Sequence, residues 1–121
     1  MIYIISRHQH NNWDLPFYFY AKIIHNYILN NNLKCDIINE VKSIFKENDI
    51  FIIFTPYFKY LNFESIKKNR IILINSEPIK VEKNRKLVVN IINNYRIIFL
   101  IDYSKHNIKY LKRKNIENCQ E

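Results

Sequence analysis

The sequence predicts an α/β fold, and three observations predict it. Five short, mostly apolar runs, Ile2 to Ile5, Cys35 to Ile38, Ile50 to Phe54, Ile71 to Ile74 and Ile97 to Ile101, are rich in β-branched residues and apolar on both parities. Strands covered on two faces have that pattern. Each run is separated from the next by a helix-compatible stretch, the alternation expected of a parallel sheet with crossover helices. Finally, 121 residues with 48% hydrophobic and 15% aromatic content suffice for one core. The expectation is a single Rossmann-like three-layer domain over residues 1–121, with about five parallel strands flanked by helices.

The first run begins at the N-terminus without a charged leader or a small-residue cleavage site, so it reads as a strand and not a signal peptide. After it, Asp14 can cap a helix whose Phe17, Ala21, Ile24 and Ile28 fall at spacings of four, three and four, with Pro16 tolerated in the first turn. Asn30-Asn31-Asn32 is the expected stop. Beyond the second run, Val41, Ile44 and Phe45 predict a short helix, Phe63 to Lys68 another, and Val81 to Tyr95 a longer one with Val88, Ile91, Ile92 and Tyr95 on one face. A basic helix over Lys105 to Lys114 buries Ile108 and Leu111. The chain has no glycine, and Asn32, Asn48, Asn69 and Asn115 stand where glycine would usually end a helix, asparagine being the next most tolerant of the left-handed cap. Right-handed crossovers leave few strand orders; 3-2-1-4-5 is the expectation, with its switch point between the strands at Ile2 and Ile71.

Composition excludes several classes. No apolar run approaches the ~20 residues of a membrane-spanning helix, and together with the N-terminus this gives a cytoplasmic expectation. Without glycine there is neither a dinucleotide fingerprint nor a P-loop, so no cofactor is expected. Cys35 and Cys119 form neither a disulfide framework nor a metal knuckle. A metal reading of His8 and His10 needs further ligands, for which the sequence offers only scattered His25, His106 and carboxylates; no metal is expected. The net charge of +8 and pI of about 9.5 fit a nucleic-acid footprint carried by Lys105, Lys109, Lys112, Arg113 and Lys114, with Lys80, Lys83, Arg85 and Lys86. The same wealth of Ile, Asn, Lys, Tyr and Phe is what AT-rich codons impose, and a solvated helix face explains the lysines equally.

Function in such a sheet gathers in the loops after the carboxyl ends of the strands. The first loop holds Arg7, His8, His10 and Trp13; histidine is readily poised as a general base near neutral pH, whereas Trp13 is equally a staple across the Asp14 cap. After the third run, Tyr57, Phe58 and Tyr60 form an aromatic patch that could stack on a sugar or base, or seal the sheet. The loop after the fourth run, Asn75-Ser76-Glu77-Pro78, sets a carboxylate beyond a strand, where it could bind a sugar hydroxyl, pair with Arg7 or His8, or close a turn. In Asp102-Tyr103-Ser104, either Ser104 or Asp102 can cap the last helix.

Two segments, Ile71 to Glu77 with its Asn-Ser-Glu turn and Ile101 to Leu111 with its Asp-Tyr-Ser turn into a helix, resemble the N-terminal lobe of GT-B glycosyltransferases, and in particular glycosyltransferase-like proteins of large DNA viruses. The resemblance implies an acceptor-binding lobe, a second lobe for the nucleotide-sugar, and chemistry in the cleft between them. It offers Glu77 and Ser104 as cleft-facing positions; His8 and His10 rest on loop placement alone. The residues thus singled out are His8, His10 and Glu77 for catalysis, and Arg7, Trp13, Tyr57, Asn75, Ser76 and Ser104 for substrate. No donor lobe follows in these 121 residues, so the expectation is half of a sugar-transfer enzyme, completed by a second lobe or protein subunit and holding a glycan or sugar acceptor. The alternative is a basic nucleic-acid-binding or protein-interaction module on the same fold.

Overall fold

The computed structural model describes residues 1–7, 14–41, 45–113 and 119–120. Strands β1 (Ile2–Ile5), β2 (Cys35–Ile38), β3 (Ile50–Phe54), β4 (Arg70–Asn75) and β5 (Ile97–Asp102) form an all-parallel sheet, and a two-residue segment, β6 (Cys119–Gln120), pairs outside β5. Helix α1 (Asp14–Asn30) links β1 to β2, α2 (Glu82–Asn94) links β4 to β5, and α3 (Lys105–Arg113) follows β5. The expected Rossmann-like α/β domain is therefore present.

The strand order is 2-1-3-4-5, not the expected 3-2-1-4-5. Burial explains the correction. Strand β3, Ile-Phe-Ile-Ile-Phe, is apolar throughout and buried at four of its five positions, so it needs neighbours on both sides. By contrast β2 carries Asp36 in the open and buries only Cys35, which suits an edge. The reversal of winding accordingly falls between β1 and β3, not between β1 and β4.

One of the expected helices differs, and another lies mostly outside the described residues. Between β2 and β3, residues 42–44 lie outside the described residues, and Val41 and Phe45 beside them are in irregular chain. The helix expected over Phe63 to Lys68 is a single 3₁₀ turn, Glu64–Ile66, preceded by another over Thr55–Lys59. Asn69 does not serve as a left-handed cap; its amide instead donates to the carbonyls of Lys46 and Asp49 at 2.9 and 3.0 Å and clamps the approach to β3. Asn115 lies outside the described residues.

Right-handed crossovers place α1 on one face of the sheet and α2 with α3 on the other. On the α2 and α3 face, Leu73 and Leu100 pack with Val88, Ile91, Ile108 and Leu111, and all are buried. On the α1 face, burial falls away across the register. Ile4, Ile52, Ile72 and Phe99 are consecutive partners in one row, and their exposure climbs from 0% at Ile4 through 6% at Ile52 to 40% at Phe99. The row below it, Phe54, Ile74 and Ile101, rises from 2% to 38%. Helix α1 is one helix wide and covers only the β1–β3 side, so β5, expected to be covered on both faces, is covered on one.

Asn32 ends α1 at φ 62°, the one positive φ among the described residues. Its N–H closes the turn on the Leu29 carbonyl at 3.0 Å. Because a Cβ in this region costs about 1–2 kcal/mol outside Gly and Asn, Asn32→Ala should lower the stability measured by urea unfolding by about 1 kcal/mol, while Asn32→Gly should leave it unchanged or raised.

Candidate functional site

The loops at the carboxyl ends of β3, β4 and β5 are held by one buried polar cluster. Asp102, 1% exposed, closes β5. Its Oδ2 accepts from Asn75 Nδ2 at 2.8 Å and Asn107 Nδ2 at 3.0 Å; its Oδ1 accepts from the Ser104 N–H at 3.0 Å and again from Asn107 at 3.1 Å. Every donor is neutral, so the carboxylate is solvated by the protein in place of water.

Asn75 uses its whole amide. Besides Asp102, its Nδ2 donates to the Glu77 carbonyl at 3.0 Å, and its Oδ1 accepts from Thr55 Oγ1 at 2.9 Å and from the Glu77 N–H at 3.1 Å. Asn107, on α3, reaches the same Glu77 carbonyl at 3.1 Å and accepts the Ile79 N–H at 3.3 Å. Ser104 caps α3: its Oγ accepts the Asn107 N–H at 3.3 Å and its carbonyl takes the first helical bond from Ile108. The Asn-Ser-Glu and Asp-Tyr-Ser turns thus form one structural unit. Asn107 and Thr55 are members that sequence reasoning missed, although the serine-plus-three spacing of a helix cap signalled the first.

Glu77 does not meet Arg7. Its Oε1 pairs with Lys59 Nζ at 3.4 Å, partly exposed. Arg7, beyond β1, pairs at 3.4 Å with Asp14, which is wholly buried at the start of α1, and its guanidinium lies 5.9 Å from the centre of the Tyr57 ring. Tyr57 is itself fully buried: the Arg7 N–H donates to its hydroxyl at 3.2 Å, Ser6 Oγ lies 3.5 Å away, and Phe17 and Phe54 pack on its ring. It ties β1 to β3 at the switch point and has no face to offer a ligand. His8, His10 and Trp13 lie outside the described residues. Among the described residues no group of three or more His, Cys, Asp or Glu is placed to hold a metal, and no helix is long and apolar enough to cross a membrane.

Beside the polar cluster, on the thinly covered face, is an open cavity of about 400 Å³. Phe17, Tyr20 and Ile24 of α1 form one wall, Phe54, Ile74 and Ile101 the floor, and Ser76 and Tyr103 the rim above Asn75 and Asp102. Of the residues singled out in the sequence, Asn75 and Ser76 line it; Tyr20 and Tyr103, 58% and 66% exposed, were missed. Both follow from the incomplete α1 layer, for which the sequence carries no local signal.

No protein-family model matches the chain, and comparison with curated proteins and with solved structures finds no match.

Two measurements test this assignment of roles. Asn107→Ala strips two N–H contacts from a buried carboxylate and should cost about 3 kcal/mol in urea unfolding, whereas Ser104→Ala, a cap loss, should cost about 1 kcal/mol. Burial pushes the Tyr57 phenol above its ordinary value of 10.0; the Asp14 charge adds to that rise, and hydrogen bonds from Ser6 and Arg7 oppose it. A raised folded-state value means the folded chain keeps a proton that the unfolded chain releases. This contribution to stability is therefore whole below pH 10 and is lost as pH rises through the raised value, and Tyr57→Phe should lessen the alkaline loss of stability, with Tyr3 and Tyr95, also raised by burial, supplying more of it.

Proposed function

We propose that this chain is a glycosyltransferase-like, acceptor-side lobe that binds a sugar ring and depends on a second lobe or subunit for transfer. The observation that carries the reading is the 400 Å³ cavity at the carboxyl ends of β4 and β5, with aromatic walls and a polar rim. Pockets in open parallel sheets lie at that end. An aromatic ring there can lie against the C–H face of a pyranose while the Ser76 hydroxyl addresses its hydroxyl groups. Binding is the role the described residues support, because the two nearby carboxylates among them are engaged: Asp102 by four N–H contacts and Glu77 by Lys59.

A second reading has one specific observation in its favour. α2 and α3 share one core cluster, with Arg85 of α2 over the Tyr110 ring of α3 at 5.8 Å, and Lys83, Lys105 and Lys109 of the same two helices are exposed. That surface could meet the phosphates of a nucleic acid.

Titration calorimetry separates them. Phenyl β-glucoside should bind with a Kd on the order of 1 mM, about −4 kcal/mol, and Tyr103→Ala should weaken it several-fold, as the loss of a stacking contact of about 1 kcal/mol requires. No heat with the glycoside, or binding indifferent to both Tyr20→Ala and Tyr103→Ala, would refute the sugar reading. Oligonucleotide affinity falling steeply with salt and lost in Lys105→Ala with Lys109→Ala would establish the other.

A further inference from the structure

Helix α1 is apolar on both sides. Its inner side, with Ala21, Phe17, Ile24 and Ile28, packs on the sheet. The outer side carries Leu15, Phe19, Ile23 and Tyr27 in an unbroken row of fours, 40%, 58%, 66% and 70% exposed. Helices apolar all round are ordinarily buried all round. Over its 17 residues the only acidic or basic side chains besides His25 are Asp14, buried, and Lys22.

From this we infer that the outer face of α1 is the contact between two copies of this chain, related by a two-fold axis. Residues four apart form the ridges that interdigitate when two helices cross at about −50°, the commonest crossing in globular proteins. An isologous contact requires one surface to present both the ridge and the hollow it enters. The hollow is there: Leu15, Pro16, Phe19, Tyr20 and Ile23 line a shallow depression of about 410 Å³ along the same face. A ridge of Phe19 and Ile23 from one copy has an apolar groove to enter on the other.

Area and charge both favour a copy over another occupant. At ~200 Å² for a whole aromatic residue, Leu15, Phe19, Tyr20, Ile23 and Tyr27 leave on the order of 600 Å² to be covered per copy, ~1,200 Å² in total, the lower end of specific interfaces. Each copy carries a formal +8, and two such molecules meet at least cost through a face almost without charge. An acidic partner would find its complement elsewhere on the molecule. A membrane-surface helix would carry lysine and arginine along its polar side, whereas α1 has Lys22 alone.

Sedimentation equilibrium on the 121-residue chain tests the inference. The expected mass is twice 14.9 kDa at tens of micromolar, with association strengthened by salt as the like charges are screened. Ile23→Lys, at an exposed position, should return the protein to 14.9 kDa with an unchanged circular dichroism spectrum; Lys83→Ala, on the opposite face, should leave the dimer intact. A single species of 14.9 kDa at 100 µM, which would leave the face for a different protein or a lipid surface, overturns the proposal. So does a dimer that survives both Ile23→Lys and Phe19→Lys.

Discussion

The loops at the carboxyl ends of β3, β4 and β5 hang on one buried anion. Asp102 is the last residue of β5, with no cation beside it among the described residues, and neutral groups from β4, the loop after β5, and α3 take the place of water around both oxygens. Because the Asn75 amide passes the network on to Thr55 at the end of β3, three strand ends and a helix are fixed by a single carboxylate. An arrangement of this kind tolerates little loss: removing one donor leaves charge without solvation, which costs more than the bond itself contributed. Its effect on the site is indirect and strong, for it sets where the Ser76 and Tyr103 rim stands above the apolar floor.

The second governing fact is asymmetry between the faces. Opposite α2 and α3 the sheet is closed, while opposite α1 it thins out toward β5, and both the cavity and the exposed aromatics of that side follow from this single shortage of cover. A three-layer fold with a full complement of helices would have neither. The apolar exterior of α1 meets that cavity at Tyr20, which lines both, while its Leu15 to Tyr27 ridge faces away from the sheet.

Much of the architecture was legible in the chain, because all five strands are runs of β-branched residues long enough to span a sheet, and α1 and α2 have clear apolar spacings. The order was misread although Asp36 in β2 and the unbroken apolar β3 carried the information: the polar strand belongs at an edge. Helix ends were legible where asparagine replaced glycine at Asn32, and misread at Asn69, whose amide found a longer-range use. Of the site, the turn residues were legible as positions but not as roles. Asn75, Ser104 and Asp102 stand where function often gathers, yet their side chains are consumed in holding one another, and only the three-dimensional meeting of Asn107 with Asp102 reveals it. Tyr57 was misread for a related reason, since an aromatic after a strand can face either the core or the cleft, and this one is pinned inward by the Arg7 backbone.

Strand β1 lies between β2 and β3, with Ile2 opposite Cys35 on one side and Ile50 on the other. Its two partners lie 33 and 48 residues along the chain, so β1 is an interior strand whose neighbours both come from distant segments. No pairing in the sheet is local, because every strand is parallel to the next, and chain closure must precede any reward from contact. For a nascent chain this means a waiting period: until the whole of Ile50 to Phe54 has emerged, Ile4 and Ile5 have only half a sheet to join. Over that interval one edge of β1 stands open, a ready template for pairing with another chain.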